Sequence, residues 1–156
     1  MTQIYRKGYE VLVGDCYGVD SSVRAFYSNL NYQNVIVYAG NGKARNNIGS
    51  WAVRKVPVPP NVRGFDFYKQ KDVAMANDAD YGFMIWDGKS KGTLNNIIDP
   101  VTQNKTVLVC LTTRSAMTTV NNTDKLNALI NGCERETQTL YRKLCATASV
   151  QSRMQP

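Results

Sequence analysis

The chain has 156 residues, 43% of them hydrophobic and 20% charged, and a formal net charge of +7. That length suits one domain with a single substantial core, and the composition excludes a disordered chain. Apolar runs such as Val107 to Leu111 are far too short to span a bilayer, and Met1 to Arg6 lacks the apolar stretch of a secretory leader, so the sequence reads as cytoplasmic with no membrane partner.

Four short apolar runs alternate with helical patterns. The runs are Tyr9 to Val13, Val35 to Tyr38, Tyr81 to Trp86 and Thr106 to Leu111, each rich in Val, Ile or aromatics and bounded by Gly, Asn or Asp. Such runs are expected as buried parallel strands. The first helix is expected over Asp20 to Leu30, where Val19, Val23, Phe26, Tyr27 and Leu30 recur at helical spacing and Asp20 or Ser21 would cap the start. Phe65 to Ala79 gives a second helix, and Thr93 to Val101 a third, ended or bent near Pro100. Asn122 to Leu144 is the longest, with a stripe through Leu126, Leu129, Ile130, Cys133, Leu140 and Leu144 and a weak point at Gly132. Ser149 to Pro156 is polar and reads as a frayed tail, leaving residues 1–148 as one domain.

Strands alternating with helices imply right-handed crossovers and a parallel sheet, hence an α/β, Rossmann-like three-layer domain. The connection from Gly40 to Gly64 is long and rich in Gly, Asn and Pro, as functional or mobile segments often are. The four cysteines form no Cys-x-x-Cys pair and the chain has no histidine, which argues against a zinc site. No cofactor is expected. Cys110 reads as buried packing, whereas Cys16 follows a strand inside a glycine-rich turn.

Two loops carry most of the polar chemistry. In Val13 to Asp20, Gly14 lets the chain turn after the strand, and Gly18 lets a ligand approach backbone N–H groups at a helix start. The other loop, Trp86-Asp87-Gly88-Lys89-Ser90-Lys91-Gly92-Thr93, offers backbone N–H groups from Ser90 to Thr93, a hydroxyl and two lysines to a phosphate, and Asp87 to ribose hydroxyls or base amines. If the sheet reverses direction between the first and third of the four runs, both loops open on one crevice, where open α/β sheets bind ligands. Arg45 and Asn46 follow the second run and are candidates for a phosphate or base clamp. Trp51 and Trp86 are candidates for base stacking or for packing, Asp72 for the crevice, and Asp78 and Asp80 for a turn. The charge of +7 suits an anionic partner, and its scatter along the chain favours a general field over a dedicated nucleic-acid stripe.

Taken together, Gly14-Asp15 with Gly18-Val19-Asp20, Arg45-Asn46, Lys71-Asp72 with Met75-Ala76, Asp80, and above all Trp86-Asp87-Gly88-x-Ser90-x-Gly92-Thr93 resemble the SLOG superfamily. This is the Rossmann-like group that includes the DNA-processing protein DprA and the LOG-type nucleotide phosphoribohydrolases. More distantly the chain is similar to nucleoside 2-deoxyribosyltransferases. The resemblance covers Tyr9 to Leu111 and implies a nucleotide-type ligand and a homo-oligomer. It departs from the family in two places. Members begin with a strand and a Gly-Ser-Arg-like loop, whereas Met1 to Gly8 reads as the last turn of a helix closed by Gly8. Hydrolytic relatives also carry a glutamate where this chain has Asn96, and an amide can hold a ribose hydroxyl but cannot act as nucleophile or general base.

The leading expectation is a sensor or sequestering protein that binds a nucleotide or nucleotide-derived molecule at the C-terminal edge of the sheet. An N-glycoside hydrolase or transferase is the alternative, with Asp87 as the candidate catalytic carboxylate and Asp15 or Asp72 behind it. A DprA-like nucleic-acid binder is the third reading, supported by the charge. For the oligomer, the Asn122 to Leu144 helix is the expected interface, unless it packs on its own sheet.

Overall fold

The computed structural model describes residues 1–42 and 44–153, with side chains as far as residue 146. The fold is α/β and Rossmann-like, and the chain divides into two compact units that meet in sequence at Ala79 and Asp80. The first unit holds α1 (Thr2–Arg6), β1 (Val11–Gly14), α2 (Val19–Asn29), β2 (Val35–Gly40), β3 (Ala52–Val56) and α3 (Gly64–Asp78). The second holds β4 (Tyr81–Trp86), α4 (Lys91–Thr102), β5 (Thr106–Leu111), β6 (Ala116–Val120), α5 (Thr123–Asn131) and α6 (Arg135–Arg153). The hydrogen bonding forms two three-stranded sheets, ordered β1-β2-β3 and β4-β5-β6.

In the first unit all strands run parallel, with Val13 opposite Val37 and Val37 opposite Val53. Successive strand residues face opposite sides, and β2 shows what that does. Val37 is fully buried with Val13, Val35, Trp51 and Tyr27 of α2, while the next residue, Tyr38, donates its hydroxyl to Asp78 Oδ2 of α3 at 2.6 Å. The sheet therefore lies between α2 and α3. Burial, together with the Asp78 carboxylate, pushes the Tyr38 phenol up to about 12. Trp51 is a packing residue: it is 5% exposed, its indole Nε1 donates to Tyr32 O at 2.7 Å, and Asn47 brackets its backbone from both sides. At the start of the chain, Gly8 at φ 68 closes α1 as its position after a helical turn suggests.

The second unit's core gathers Val107, Val109 and Leu111 of β5 with Leu94, Ile97, Ile98 and Val101 of α4 and Leu126 and Ile130 of α5. β4 and β5 are parallel, but β6 returns antiparallel to β5 through a tight turn at Ser115, φ 49. This sheet is thus mixed rather than all parallel. α4 runs on through Pro100 to Thr102; the proline sits in its last turn, where few i−4 bonds follow it. The single helix expected over Asn122 to Leu144 is two helices, because the chain leaves helix at Gly132 and restarts at Arg135. Its apolar stripe covers its own unit: Leu129, Cys133, Leu140 and Leu144 pack against the same core. The tail expected from Ser149 falls on the end of α6 and on residues 154–156, which lie outside the described residues. All four cysteines are free and half-buried, including Cys110, which was expected in the core. Among the described residues no helix is long and apolar enough to cross a membrane, and no group of three or more Cys, Asp or Glu is arranged to hold a metal ion.

Candidate functional site

The β1–α2 loop is built around two glycines and a buried arginine. Gly18 holds φ 80, ψ −126 as the cap of α2, a conformation that a residue with a β-carbon rarely adopts. Gly14 is glycine for a different reason: a β-carbon there would run into Asp20 Oδ2 and come within 2.8 Å of Lys71 Nζ. Behind the loop, Arg24 of α2 is 1% exposed and donates to Gly14 O through Nη1 and to Cys16 O through Nη2 at 3.0 Å. The loop's carbonyls are thus drawn inward. Asp20, in the first turn of α2, accepts the Cys16 N–H at 3.2 Å.

Above this loop the first unit gathers charge. Asp15 is 6% exposed and accepts from Arg45 Nε at 3.1 Å and from Arg45 Nη2 at 3.3 Å. Burial raises the Asp15 carboxyl, but the hydrogen bonds and charge of Arg45, with a smaller contribution from Lys71, outweigh it and leave the group below the ordinary carboxylate value. Lys71 of α3 is 2% exposed, and its Nζ lies 2.5 Å from Asp72 Oδ1. Burial works against its charge, yet Asp72, Cys16 and Asp20 together hold the ammonium above the ordinary lysine value. Asp20 goes the other way. Burial dominates, and its carboxyl is raised despite Lys71 and the Cys16 N–H. Two aspartates five residues apart are therefore pushed in opposite directions by one loop.

Arg45 also lies against aromatic surface. Its guanidinium carbon is 4.9 Å from the Tyr68 ring centroid and 5.8 Å from that of Tyr17, and both tyrosines are exposed. Its Nη2 reaches Cys16 Sγ at 3.3 Å. Asn46 beside it is exposed at φ 74, on the outer side of the turn. No family model, curated protein or solved structure matches this chain.

The β4–α4 loop of the second unit is organised differently, and most of its polar groups are used by the loop itself. Asp87 Oδ1 accepts the N–H groups of Lys89 at 2.9 Å and Ser90 at 2.7 Å, which draws the Asp87 carboxyl below its ordinary value. The Ser90 amide, expected to face a phosphate, is thus spent on Asp87. Ser90 Oγ donates to Thr93 Oγ1 at 2.8 Å, and exposed Lys89 pairs with exposed Glu134 at 3.1 Å. Gly88, at φ 80, is buried, and its carbonyl accepts from Thr137 Oγ1 at 2.6 Å. Trp86 corrects the stacking expectation: it is 1% exposed, packs in the core and donates Nε1 to Ser90 O at 3.2 Å, which leaves no ring face for a base. Gly92 and Thr93 lie in the first turn of α4, where no carbonyl of the same helix reaches their amides. A β-carbon on Gly92 would meet open space. Asn96 is half-buried one turn further on.

Of the residues singled out in the sequence, Asp15, Asp20, Arg45 and Asp72 share the cluster over Gly14. Sequence reasoning missed four that complete it. Arg24 stands on the buried face of its helix, four residues after Asp20 and three before Tyr27, a spacing that could have exposed it. Lys71 appeared only as part of a motif, and Tyr17 and Tyr68 give no signal in any periodic pattern.

Proposed function

We propose that the first unit binds a nucleotide or nucleotide-derived small molecule at the C-terminal edge of its parallel sheet, over the β1–α2 loop. The supporting observation is the mixed-charge cluster over Gly14, in which Asp15 and Lys71 are buried and Asp20 and Asp72 half-buried, joined by Arg45 with its aromatic neighbours. Burying such charges brings a fold little stability over apolar packing, and a concentration of displaced ionisations at a strand end is characteristic of a ligand site. The parts suit the pieces of a nucleotide. Carboxylates accept from ribose hydroxyls and base N–H groups, Lys71 and Arg45 favour phosphate, and the exposed rings of Tyr17 and Tyr68 suit a base. The resemblance to SLOG proteins points to the same ligand class.

The reading is one of binding without bond cleavage. Glycosidic cleavage needs a carboxylate free to attack or to take a proton beside the anomeric carbon. Asp87, the candidate for that task, is engaged in closing its own loop and is held ionised by two backbone N–H groups, which lowers its basicity. Asn96 supplies an amide.

Thermal-shift measurements with mono- and dinucleotides test the proposal. Nucleotides should raise the melting temperature of the wild type and do so much less for Lys71→Met. The stabilisation should fall only modestly with added salt, because few phosphates are neutralised. A nucleic-acid binder making six or more phosphate contacts would lose roughly three orders of magnitude in affinity between about 50 and 200 mM salt. Absence of any nucleotide response would remove the proposal.

A further inference from the structure

Resting on that reading, we infer that the base recognised is guanine, held through its Watson–Crick edge by Asp15, and that Arg45 is the side chain it displaces.

The geometry of the ion pair carries the argument. Arg45 offers two neighbouring N–H donors, Nε–H and Nη2–H, and each goes to a different oxygen of one carboxylate, at 3.1 Å to Oδ2 and 3.3 Å to Oδ1. These donors belong to one planar guanidinium. Guanine contains the same unit: N1–H, C2 and the exocyclic N2–H₂ form a planar guanidine fragment with two N–H donors side by side on one edge. The other common bases lack that pair. Adenine and cytosine place one amine beside an acceptor nitrogen, hypoxanthine has N1–H without the amine, and xanthine has N1–H beside a carbonyl. An ionised carboxylate only accepts. With the Arg45 side chain displaced, the Arg45 backbone N–H, 3.4 Å from Asp15 Oδ2, and the Lys71 charge remain to favour the ionised form, and the two guanine N–H donors replace those of the guanidinium.

Three further features suit a flat heterocycle at the Arg45 position. The rings of Tyr68 and Tyr17 lie 4.9 and 5.8 Å from the guanidinium carbon and are exposed, so a planar group placed there meets aromatic surface. The Asp15 side chain is 8% exposed while that of Arg45 is 36% exposed, so the acceptor is the inner partner and the arginine the outer one. Arg45 also rises from the segment after β2 rather than from a helix or strand, so its side chain can leave without disturbing a regular element.

Calorimetric titration of the full chain with GMP, IMP, AMP and XMP tests the inference. Wild type should bind GMP about tenfold or more tightly than IMP and AMP, the discrimination expected of a two-donor contact to one carboxylate. In Asp15→Asn the amide offers a donor where the carboxylate only accepted, so the preference should move from GMP toward XMP, whose C2 carbonyl takes that donor. Equal binding of GMP, IMP and AMP by the wild type would overturn the guanine inference and leave nucleotide binding standing. Binding of none of them would overturn both. Should Asp15→Asn fail to fold, the wild-type comparison of GMP with IMP still decides, since these differ only in the exocyclic amine. Retention of the full GMP preference over XMP by a folded Asp15→Asn would remove Asp15 from the base contact.

Discussion

Lys71 Nζ stands 2.5 Å from Asp72 Oδ1, with 3% of the Lys71 side chain and 17% of the Asp72 side chain exposed. Removing the ammonium leaves Asp72 without its ion-pair partner and facing Asp20. Lys71→Met should therefore cost about 2–3 kcal/mol, at or below the low end for breaking a buried pair because Asp72 keeps some contact with water. Adding Asp72→Asn should recover part of that loss, since it removes the stranded charge. Urea denaturation of the two variants measures both; a loss within about 0.5 kcal/mol for Lys71→Met would be the behaviour of a surface lysine and would contradict the burial.

Asp15 and Asp20 give opposite pH signatures. The Asp20 carboxyl is raised by burial, so over the pH range above about 3.9 the folded state holds its proton longer than the unfolded state. Its contribution to stability is fully present below that ordinary value and is lost as pH rises through the folded value. The Asp15 carboxyl is lowered, so its contribution is present above the ordinary value and is lost as pH falls through the folded one. Stability curves from pH 2 to 7 should show Asp20→Asn gaining on wild type as pH rises, and Asp15→Asn losing ground. Parallel curves for the two variants would refute the assignment.

Gly14→Ala tests why that position is glycine. The added carbon would displace the Asp20 carboxylate, break its bond to Cys16 N and crowd Lys71. The expected cost is on the order of 1–2 kcal/mol, as for overpacking a filled site, together with loss of any nucleotide-induced stabilisation. A melting temperature and ligand response equal to wild type would show that the space above Gly14 is free.

The element pattern was largely legible because apolar runs and helical spacing report burial directly. β4 and β5 fall on the residues where the runs Tyr81 to Trp86 and Thr106 to Leu111 place them. β3 was not legible: Ala52 to Val56 is an edge strand that carries Arg54 and Lys55 and buries only Val56, so it shows no apolar run. β6 escaped for the same reason, with Met117 and Thr119 facing solvent at the sheet's edge. The break at Gly132 was signalled by the glycine, though the stripe continued past it. Within the site, the glycines and aspartates of the β1–α2 loop were visible because they cluster in sequence. Tyr68 was not, and Lys71 was visible only as part of a motif, since α3 brings both from about fifty residues away and burial of a lysine leaves no trace in spacing; Tyr17, though in the loop, carries no polar pattern that marks it. Trp86 was open between stacking and packing, because a tryptophan at a strand end beside a polar loop suits both, and its indole lies in the core.

Asp87 is assigned to loop closure. Asp87→Ala should cost about 1 kcal/mol, the net loss typical of side-chain to backbone hydrogen bonds within a loop, and it should leave nucleotide binding in the first unit unchanged. Chromatography of GMP, AMP and CMP incubated with wild type should recover them intact. Release of free base in proportion to protein, abolished in a folded Asp87→Asn, would replace the binder with a glycosidase.

The most direct measurement is a heteronuclear NMR titration of the labelled full chain with GMP. Progressive, saturable shifts are expected, concentrated at the amides of Asp15 to Asp20, at Arg45 and at Lys71 and Asp72. An unchanged spectrum at millimolar nucleotide, or shifts confined to residues outside the first unit, would contradict nucleotide binding over the β1–α2 loop.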